Sequence, residues 1–266
     1  MDRQFASEYP RNEQGWIRYP ADSDYRKQMF PPEVNQHPAK ANVYLVQSII
    51  EYVSDEGETL LDIMAGTGTL MVGALIGREV ICVEISELFH NLQIKALERM
   101  EEIAPGISEH IMLINLPCQQ YLPIPNLADH IVFSPQYAGI MHTKGTDSWN
   151  VDTGYAFAEY SKSVLNLGTM SDFIWGHEME VIYKKCYETI KPGGTMSLIV
   201  KDHMEKGQRV QLVQKAIDAS IAVGFSHNPE EHFRWAAPGM PYTAARRARG
   251  IEVVDDESIV VLRKGG

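Results

Sequence analysis

Three short segments carry residue types whose order can do chemistry. The first is Asp62-Ile63-Met64-Ala65-Gly66-Thr67-Gly68-Thr69. Glycines in such a turn let the backbone bend sharply and approach a ligand where a Cβ would stand in the way. A helix starting just after it offers unpaired N–H groups to a carboxylate or other polar group. An acid, Glu84, follows Asp62 by 22 residues. A carboxylate closing the next strand at that distance suits ribose hydroxyls. The turn is neither G-x-G-x-x-G nor a loop ending in G-K-[ST], so a triphosphate is disfavoured. The plain alternative is a glycine turn with a purely structural role.

The second segment is Ser134-Pro135-Gln136-Tyr137. A hydroxyl, a proline-constrained carbonyl and an aromatic in sequence can together hold a flat, amine-bearing group. Ser134 and the Pro135 carbonyl can accept hydrogen bonds from an –NH₂ while Tyr137 stacks on the ring. Alone this is a common turn; behind a nucleoside-type turn it gains weight. The third is His37-Pro38-Ala39-Lys40. A lysine at a helix start opposes the helix dipole, so a carboxylate ligand nearby would rationalise it. A solvent-facing lysine is the alternative.

The elements that must position these segments follow from periodicity. Val43, Val46, Ile49, Ile50 and Val53 fall at helical spacing, and Thr59 to Ile63 reads as an apolar strand. The glycine turn and a helix ending near Gly77 come next, then a strand from Val80 to Val83 closed by Glu84. Ser86 can cap a helix with Leu88, Leu92, Ala96, Met100 and Ile103 inward. Ile111 to Ile114 and Ile131 to Phe133 are further strands, the second ending at Ser134. A helix with Ile174, Ile182, Cys186 and Ile190 runs to Pro192-Gly193-Gly194, followed by a strand from Thr195 to Val200. A helix from Val210 to Val223 and strands near Phe233 and from Ser258 to Leu262 complete the pattern. Apolar strands alternating with helices mean a mostly parallel sheet of about seven strands with helices on both faces. In such sheets, ligands sit beyond the carboxyl ends of the strands, which brings the first two segments to one crevice.

The chain has 266 residues, 44% hydrophobic and 22% charged, which excludes a disordered, collagenous or coiled-coil protein. Its 24 Lys and Arg against 35 Asp and Glu give −11, arguing against coating of nucleic acid or anionic membrane by bulk attraction. The acids cluster at 51–58, 98–102 and 252–257, however, and residues 232–251 carry Arg234, Arg246, Arg247 and Arg249 with no acid. Cys82, Cys118 and Cys186 have no C-x-x-C spacing and read as reduced packing residues. The N-terminus is polar and no apolar run approaches 18 residues, so a cytoplasmic protein without a membrane span is expected. The nine histidines show no H-E-x-x-H or Cys/His cluster, so no metal is expected. His203 is a lone candidate for lining the pocket.

In combination these residues resemble the S-adenosylmethionine-dependent DNA amino-methyltransferases, the N4-cytosine and N6-adenine methylases. That family shows an H-P-x-K-type segment before a helix, a D-P-F-x-G-[ST]-G-T turn, an acid after the second strand and an [SDN]-P-P-[YF] loop. This chain has all four in one order, with Lys191-Pro192-Gly193-Gly194 before the fifth strand, over roughly residues 37–204. Ile63-Met64 replaces the usual Pro-Phe, and Gln136 replaces the second proline of the catalytic loop. The latter change loosens the loop and points either to an altered substrate or to a weakened enzyme.

The resemblance implies an α/β, Rossmann-like class I methyltransferase with one catalytic domain over 37–266 behind an arm at 1–36. It implies that His37, Lys40, Asp62, Ala65, Gly66, Gly68, Thr69 and Glu84 hold S-adenosylmethionine, Lys40 near its carboxylate and Glu84 on the ribose. Asn115, after the third strand, would meet the adenine amine. Ser134, Pro135 and Tyr137 are the implied catalytic residues, acting on the amine of a base flipped from double-stranded DNA. The absence of a Pro-Cys pair in that loop argues against ring-carbon methylation, and its Ser-Pro start leans toward cytosine. Gln136, Arg246, Arg247 and Arg249 would contact the DNA substrate. Residues 138–170, which lack periodicity, and 232–251 are the expected target-recognition inserts. A restriction-modification setting fits, and a homodimer is allowed. The alternatives are an RNA base or protein-glutamine methyltransferase, and an inactive S-adenosylmethionine-binding regulatory protein.

Overall fold

Leu60 and Leu61 are neighbours in the chain, yet both are fully buried and they lie in different hydrophobic clusters. A strand apolar on both faces needs cover on both faces, which is the condition for a parallel sheet. The computed structural model describes residues 3–36, 40–138, 163–205, 207–237, 247–250 and 252–266. Its main sheet holds β1 (Thr59–Asp62), β2 (Glu79–Val83), β3 (Ile111–Ile114), β4 (Ala128–Phe133), β5 (Ile190–Val200), β8 (Ser226–Ala236) and β9 (Asp256–Arg263). The strand order is β3-β2-β1-β4-β5-β9-β8, with only β9 running against the rest. A separate hairpin joins β6 (His203–Glu205) to β7 (Gln208–Val210).

One face is covered by α2 (Val43–Val53), α3 (Glu87–Ile103) and the 3-10 segment Thr69–Ile76. The other is covered by α5 (Asp172–Thr189) and α6 (Leu212–Ala222). Two short helices join these: α1 (Ser23–Met29) in the arm and α4 (Cys118–Tyr121) after β3. Asn42 caps α2 by accepting from the Tyr44 and Leu45 amides, and Ser86 caps α3 by accepting from Phe89.

The arm is part of this core. Phe5, Ile17, Phe30 and Val34 are buried in the same cluster as α2 and β1. Phe5 stacks on Phe233 with centroids 4.0 Å apart, and Tyr19 meets Trp235 edge-on at 5.8 Å. Ile17 also pairs with β8: its amide donates to the Arg234 carbonyl, and the Ile17 carbonyl accepts the Ala236 amide, both at 2.9 Å. Those bonds occupy backbone groups on an outer strand that would otherwise offer a pairing edge.

Several details depart from the sequence pattern. The element after the glycine turn is a 3-10 helix, because Gly68 and Gly77 bracket it in left-handed conformation. The helix expected to include Ile190 ends at Thr189, and Ile190 opens β5 by pairing with Ala128. Lys191 precedes Pro192, and that position disfavours helical backbone. Val210 lies in the β6–β7 hairpin, with the helix starting at Leu212. Ile103, expected to face inward, is half exposed as the last residue of α3, and Ile174, also expected inward, is half exposed in the first turn of α5. Cys82, Cys118 and Cys186 are free and buried.

Gly194 shows how tightly β5 crosses β4. A Cβ there would lie 2.1 Å from the Asp129 carbonyl oxygen and 2.6 Å from Ile190 Cγ2, and backbone cannot yield as a flexible side chain does. Gly193, at φ +83°, has open space around it. Urea denaturation should therefore show Gly194→Ala losing about 3 kcal/mol or more. Gly193→Ala should lose only the ~1–2 kcal/mol of a left-handed alanine.

Candidate active site

The strand order reverses between β1 and β4, and the crevice opens beyond the carboxyl ends of those two strands. One wall is the glycine turn. Asp62 ends β1 and accepts the Met64 amide at 2.9 Å, while the Ala65 amide ties the turn to the Val83 carbonyl at 3.0 Å. Gly66 stands at φ +53°, and a Cβ there would meet nothing within 4 Å. Gly68 stands at φ +81°, and a Cβ there would approach Met71 Cε to 2.8 Å. Gly66 is thus open toward the crevice, whereas at Gly68 the left-handed backbone is what favours glycine, since the Met71 methyl can yield.

The two acids accept hydrogen bonds from backbone amides. Glu84 is 3% exposed and accepts the Gly66 amide on Oε2 and the Ser86 amide on Oε1, each at 2.7 Å. Burial pushes its carboxyl up to about 7, against the pull of those amides. Burial likewise pushes Asp62 up to about 7, with the Met64 amide opposing. Each carboxylate oxygen of Glu84 keeps a second lone pair for a hydroxyl donor. Lys40 lines the same crevice, and burial followed by the charge of Arg26 brings its ammonium down to about 8.

The Ser134–Tyr137 loop forms the opposite wall. Ser134 is exposed just past β4, and Pro135 is buried beneath it. Two bonds from outside the loop pin its second half. Trp175 of α5 donates its indole N–H to the Gln136 carbonyl at 2.6 Å, and the Tyr137 hydroxyl accepts the Lys201 amide at 2.9 Å. Burial, then the charge of Glu257, holds the Tyr137 phenol well above its ordinary value, so it stays neutral. The Gln136 carbonyl is thereby fixed by an indole in a loop that lacks its second proline.

Most expected residues meet here. Lys40, Asp62, Ala65, Gly66, Thr69 and Glu84 line the crevice on one side, and Ser134, Pro135, Gln136 and Tyr137 on the other. Gly68 shapes the turn from behind. Asn115 does not line the crevice: its side-chain amide donates to the Glu84 backbone carbonyl at 2.8 Å and braces β3 against β2. Cys118 and Gln119, at the start of α4, line that end instead, and Gln119 donates to the Leu165 carbonyl at 3.0 Å. Their position past the carboxyl end of β3 was the signal available for finding them. His203 is exposed in the hairpin and is not part of the lining. His37, Arg246 and residues 139–162 lie outside the described residues.

The basic stretch is less free than its sequence suggests. Arg247 pairs with Asp255 at 2.5 Å and Arg234 with Asp256 at 3.6 Å, so the acidic run at 252–257 folds back on it. Arg249 is exposed. Among the described residues no group of three or more His, Cys, Asp or Glu could hold a metal, and no helix is long and apolar enough to cross a membrane.

A family model described as DNA methylase matches residues 6–95, from the arm through the glycine turn and Glu84 into α3. Over those residues the chain is similar to the N4/N6 DNA methylases. The methylase match stops before β4, so it does not reach the Ser134 loop. Solved structures share the fold at low identity. The [4+2]-cyclase SpnF is 15% identical over 85% of this chain and 81% of its own, with a TM-score of 0.55. TrmN from Thermus thermophilus is 15% identical with a TM-score of 0.52, and the alignment covers 88% of this chain but only 52% of TrmN. A putative sarcosine dimethylglycine methyltransferase from Galdieria sulphuraria is 13% identical over 92% and 98% of the two chains, with a TM-score of 0.51. No curated protein matches the sequence.

The cofactor indicated is S-adenosylmethionine, and the crevice suits it. The open face of Gly66 admits close approach, the two acids can accept hydroxyl or amine donors, and Lys40 lines the same crevice. If Trp175 holds the loop in its working geometry, Trp175→Phe should lower kcat for methyl transfer roughly 5- to 10-fold, the worth of one well-made hydrogen bond. Cofactor affinity, measured by calorimetry, should stay within about twofold.

Proposed function

We propose that this methyltransferase methylates an exocyclic amine of DNA, N4 of cytosine or N6 of adenine. The observation that carries this reading is the Ser134–Tyr137 loop. It stands across the β1–β4 switch point from the cofactor turn, with Ser134 exposed and Tyr137 held by its hydroxyl. The DNA methylase match over residues 6–95 supports the choice of nucleic acid.

The roles follow from the chemistry of the groups present. Bound S-adenosylmethionine supplies an electrophilic methyl group on sulfur. Asp62 and Glu84 bind its amine and ribose donors, and Lys40 its carboxylate. A base inside a duplex cannot reach a crevice of this depth, so the target is flipped in or taken single-stranded. Tyr137 acts as a stacking plate; its neutral hydroxyl is already engaged and does not move a proton. Ser134 Oγ and the Pro135 carbonyl accept from the base's –NH₂ and orient its lone pair toward the methyl group. Those contacts strengthen as the nitrogen pyramidalises, which favours the transition state over the ground state. The N–C bond forms as the S–C bond breaks, and the cationic methylated amine then sheds its extra proton to solvent beside the exposed Ser134. Gln136 contacts the substrate, and the exposed Arg249 meets phosphate.

Transfer of tritiated methyl groups to unmethylated genomic DNA, followed by nucleoside analysis, tests the reading; a parallel RNA arm separates its main rival. Label in N4-methylcytosine or N6-methyladenine is expected. Cofactor binding with no transfer to any DNA would overturn the proposal and favour a regulatory protein. Ser134→Ala should cut kcat about 100-fold, as loss of a transition-state hydrogen bond does, with S-adenosylmethionine affinity nearly unchanged. Equal losses in both would contradict the role given to Ser134.

Lys40 yields a pH prediction. Its ammonium, at about 8 in the free protein, is charged below that pH and neutral above it. A carboxylate that pairs with the cation raises that pKa in the complex, so protonation and binding support each other. Affinity for S-adenosylmethionine should therefore fall up to about tenfold per pH unit above 8. Calorimetry of Lys40→Met should show weaker binding that no longer varies over this range.

A further inference from the structure

Among the described residues Arg26 is the largest fully buried side chain, 1% exposed, and it comes from the arm. Its Nε donates to Asp22 Oδ2 at 2.7 Å, and the same carboxylate oxygen accepts the Val43 amide at 2.9 Å at the start of α2. From there the guanidinium fork spans both walls of the cofactor end. Nη2 donates to the Ala41 carbonyl, next to Lys40, and both Nη atoms lie 3.4 Å from Thr69 Oγ1 beside the glycine turn. Ala41 and Thr69 line the crevice; Arg26 itself does not.

Stability alone is a poor account of such a group. Burying a guanidinium is costly, and an apolar side chain of similar size is often as stable or more so. The planar fork, in contrast, fixes the spacing of two walls in a way an apolar group cannot. The spacing it fixes is that between Lys40 and the helix start at Thr69, the two features that face an incoming carboxylate.

We propose that Arg26 is a positioning residue that makes the site selective for a cofactor carrying an α-carboxylate. It sets the Lys40 and Thr69 walls at the amino-acid end and leaves the nucleoside end to Asp62 and Glu84. This rests on the placement of Lys40 at the carboxylate given above, and it does not depend on the methyl acceptor.

The test compares two thioethers that differ in the amino-acid arm. S-adenosylhomocysteine carries the carboxylate, and 5′-methylthioadenosine lacks that whole end. Calorimetry with the full chain should show Arg26→Gln losing about tenfold or more in affinity for the first and less than about twofold for the second. Arg26→Lys keeps charge without the fork and should also lose selectivity. Parallel losses for both ligands, or none, would overturn the proposal. If Arg26→Gln does not fold, Thr69→Val decides: a smaller drop confined to S-adenosylhomocysteine supports the proposal, and an unchanged ratio overturns it. Lys40→Met separates the two assignments. A ratio lost with Lys40→Met but kept in the Arg26 variants overturns the role of Arg26 alone. A ratio kept in both overturns the carboxylate seat and this proposal together.

Discussion

The reversal of strand order between β1 and β4 is the constraint on which the rest depends. Chain leaving β1 passes to one side of the sheet and chain leaving β4 to the other, so nothing covers the gap between their carboxyl ends. Everything catalytic in the proposed mechanism is attached to that gap. The glycine turn leaves β1, Glu84 follows β2, and the Ser134 loop leaves β4. Glu84 is buried and Asp62 half-buried, and both carboxyls are raised because the sheet and the two helical layers limit water around them. The fold alone does not settle the activity, since a [4+2]-cyclase shares it.

A second dependence runs through the arm. It closes the β8 edge through Ile17, fills an aromatic layer around Phe233 and Trp235, and delivers Asp22 and Arg26 to the start of α2. One segment thus ties the far edge of the sheet to the cofactor end of the crevice. The family match beginning at residue 6 includes it. Cofactor geometry and arm docking are therefore linked, and loosening the aromatic contacts would be felt at Lys40.

Much of this was legible in the residues. The strands could be read because a strand buried on both faces is apolar without alternation, as in β1, β2 and β4. The site could be read because Asp62, Glu84 and Ser134 each sit where an apolar run ends. What escaped depends on contacts distant in sequence. Trp175 lies 39 residues from the carbonyl it holds, and Arg26 lies 43 from Thr69; neither has a local pattern. Asn115 looked like a ligand because it follows β3, but the chain places Cys118 and Gln119 at the cavity and turns Asn115 back to Glu84. The arginines at 234 and 247 looked free because composition cannot show that the acids of 252–257 fold onto them.

The arrangement of charge in the crevice matches the transfer it is proposed to perform. Moving a methyl group from a sulfonium to a neutral amine conserves positive charge and shifts it toward the amine. A full anion at the amine would stabilise the charged product strongly and slow its departure, whereas a cation would oppose the reaction. The groups at that end are neutral acceptors instead: a serine hydroxyl, a proline carbonyl and the face of Tyr137, whose phenol stays protonated. They grow more favourable as charge develops and need no reorganisation to do so. The ionisable residues Asp62, Glu84 and Lys40 stand at the cofactor end, where they meet groups whose charge does not change during transfer. That separation explains why Gln136 is tolerated. The loop has to be held still rather than charged, and the indole of Trp175 and the amide of Lys201 hold it.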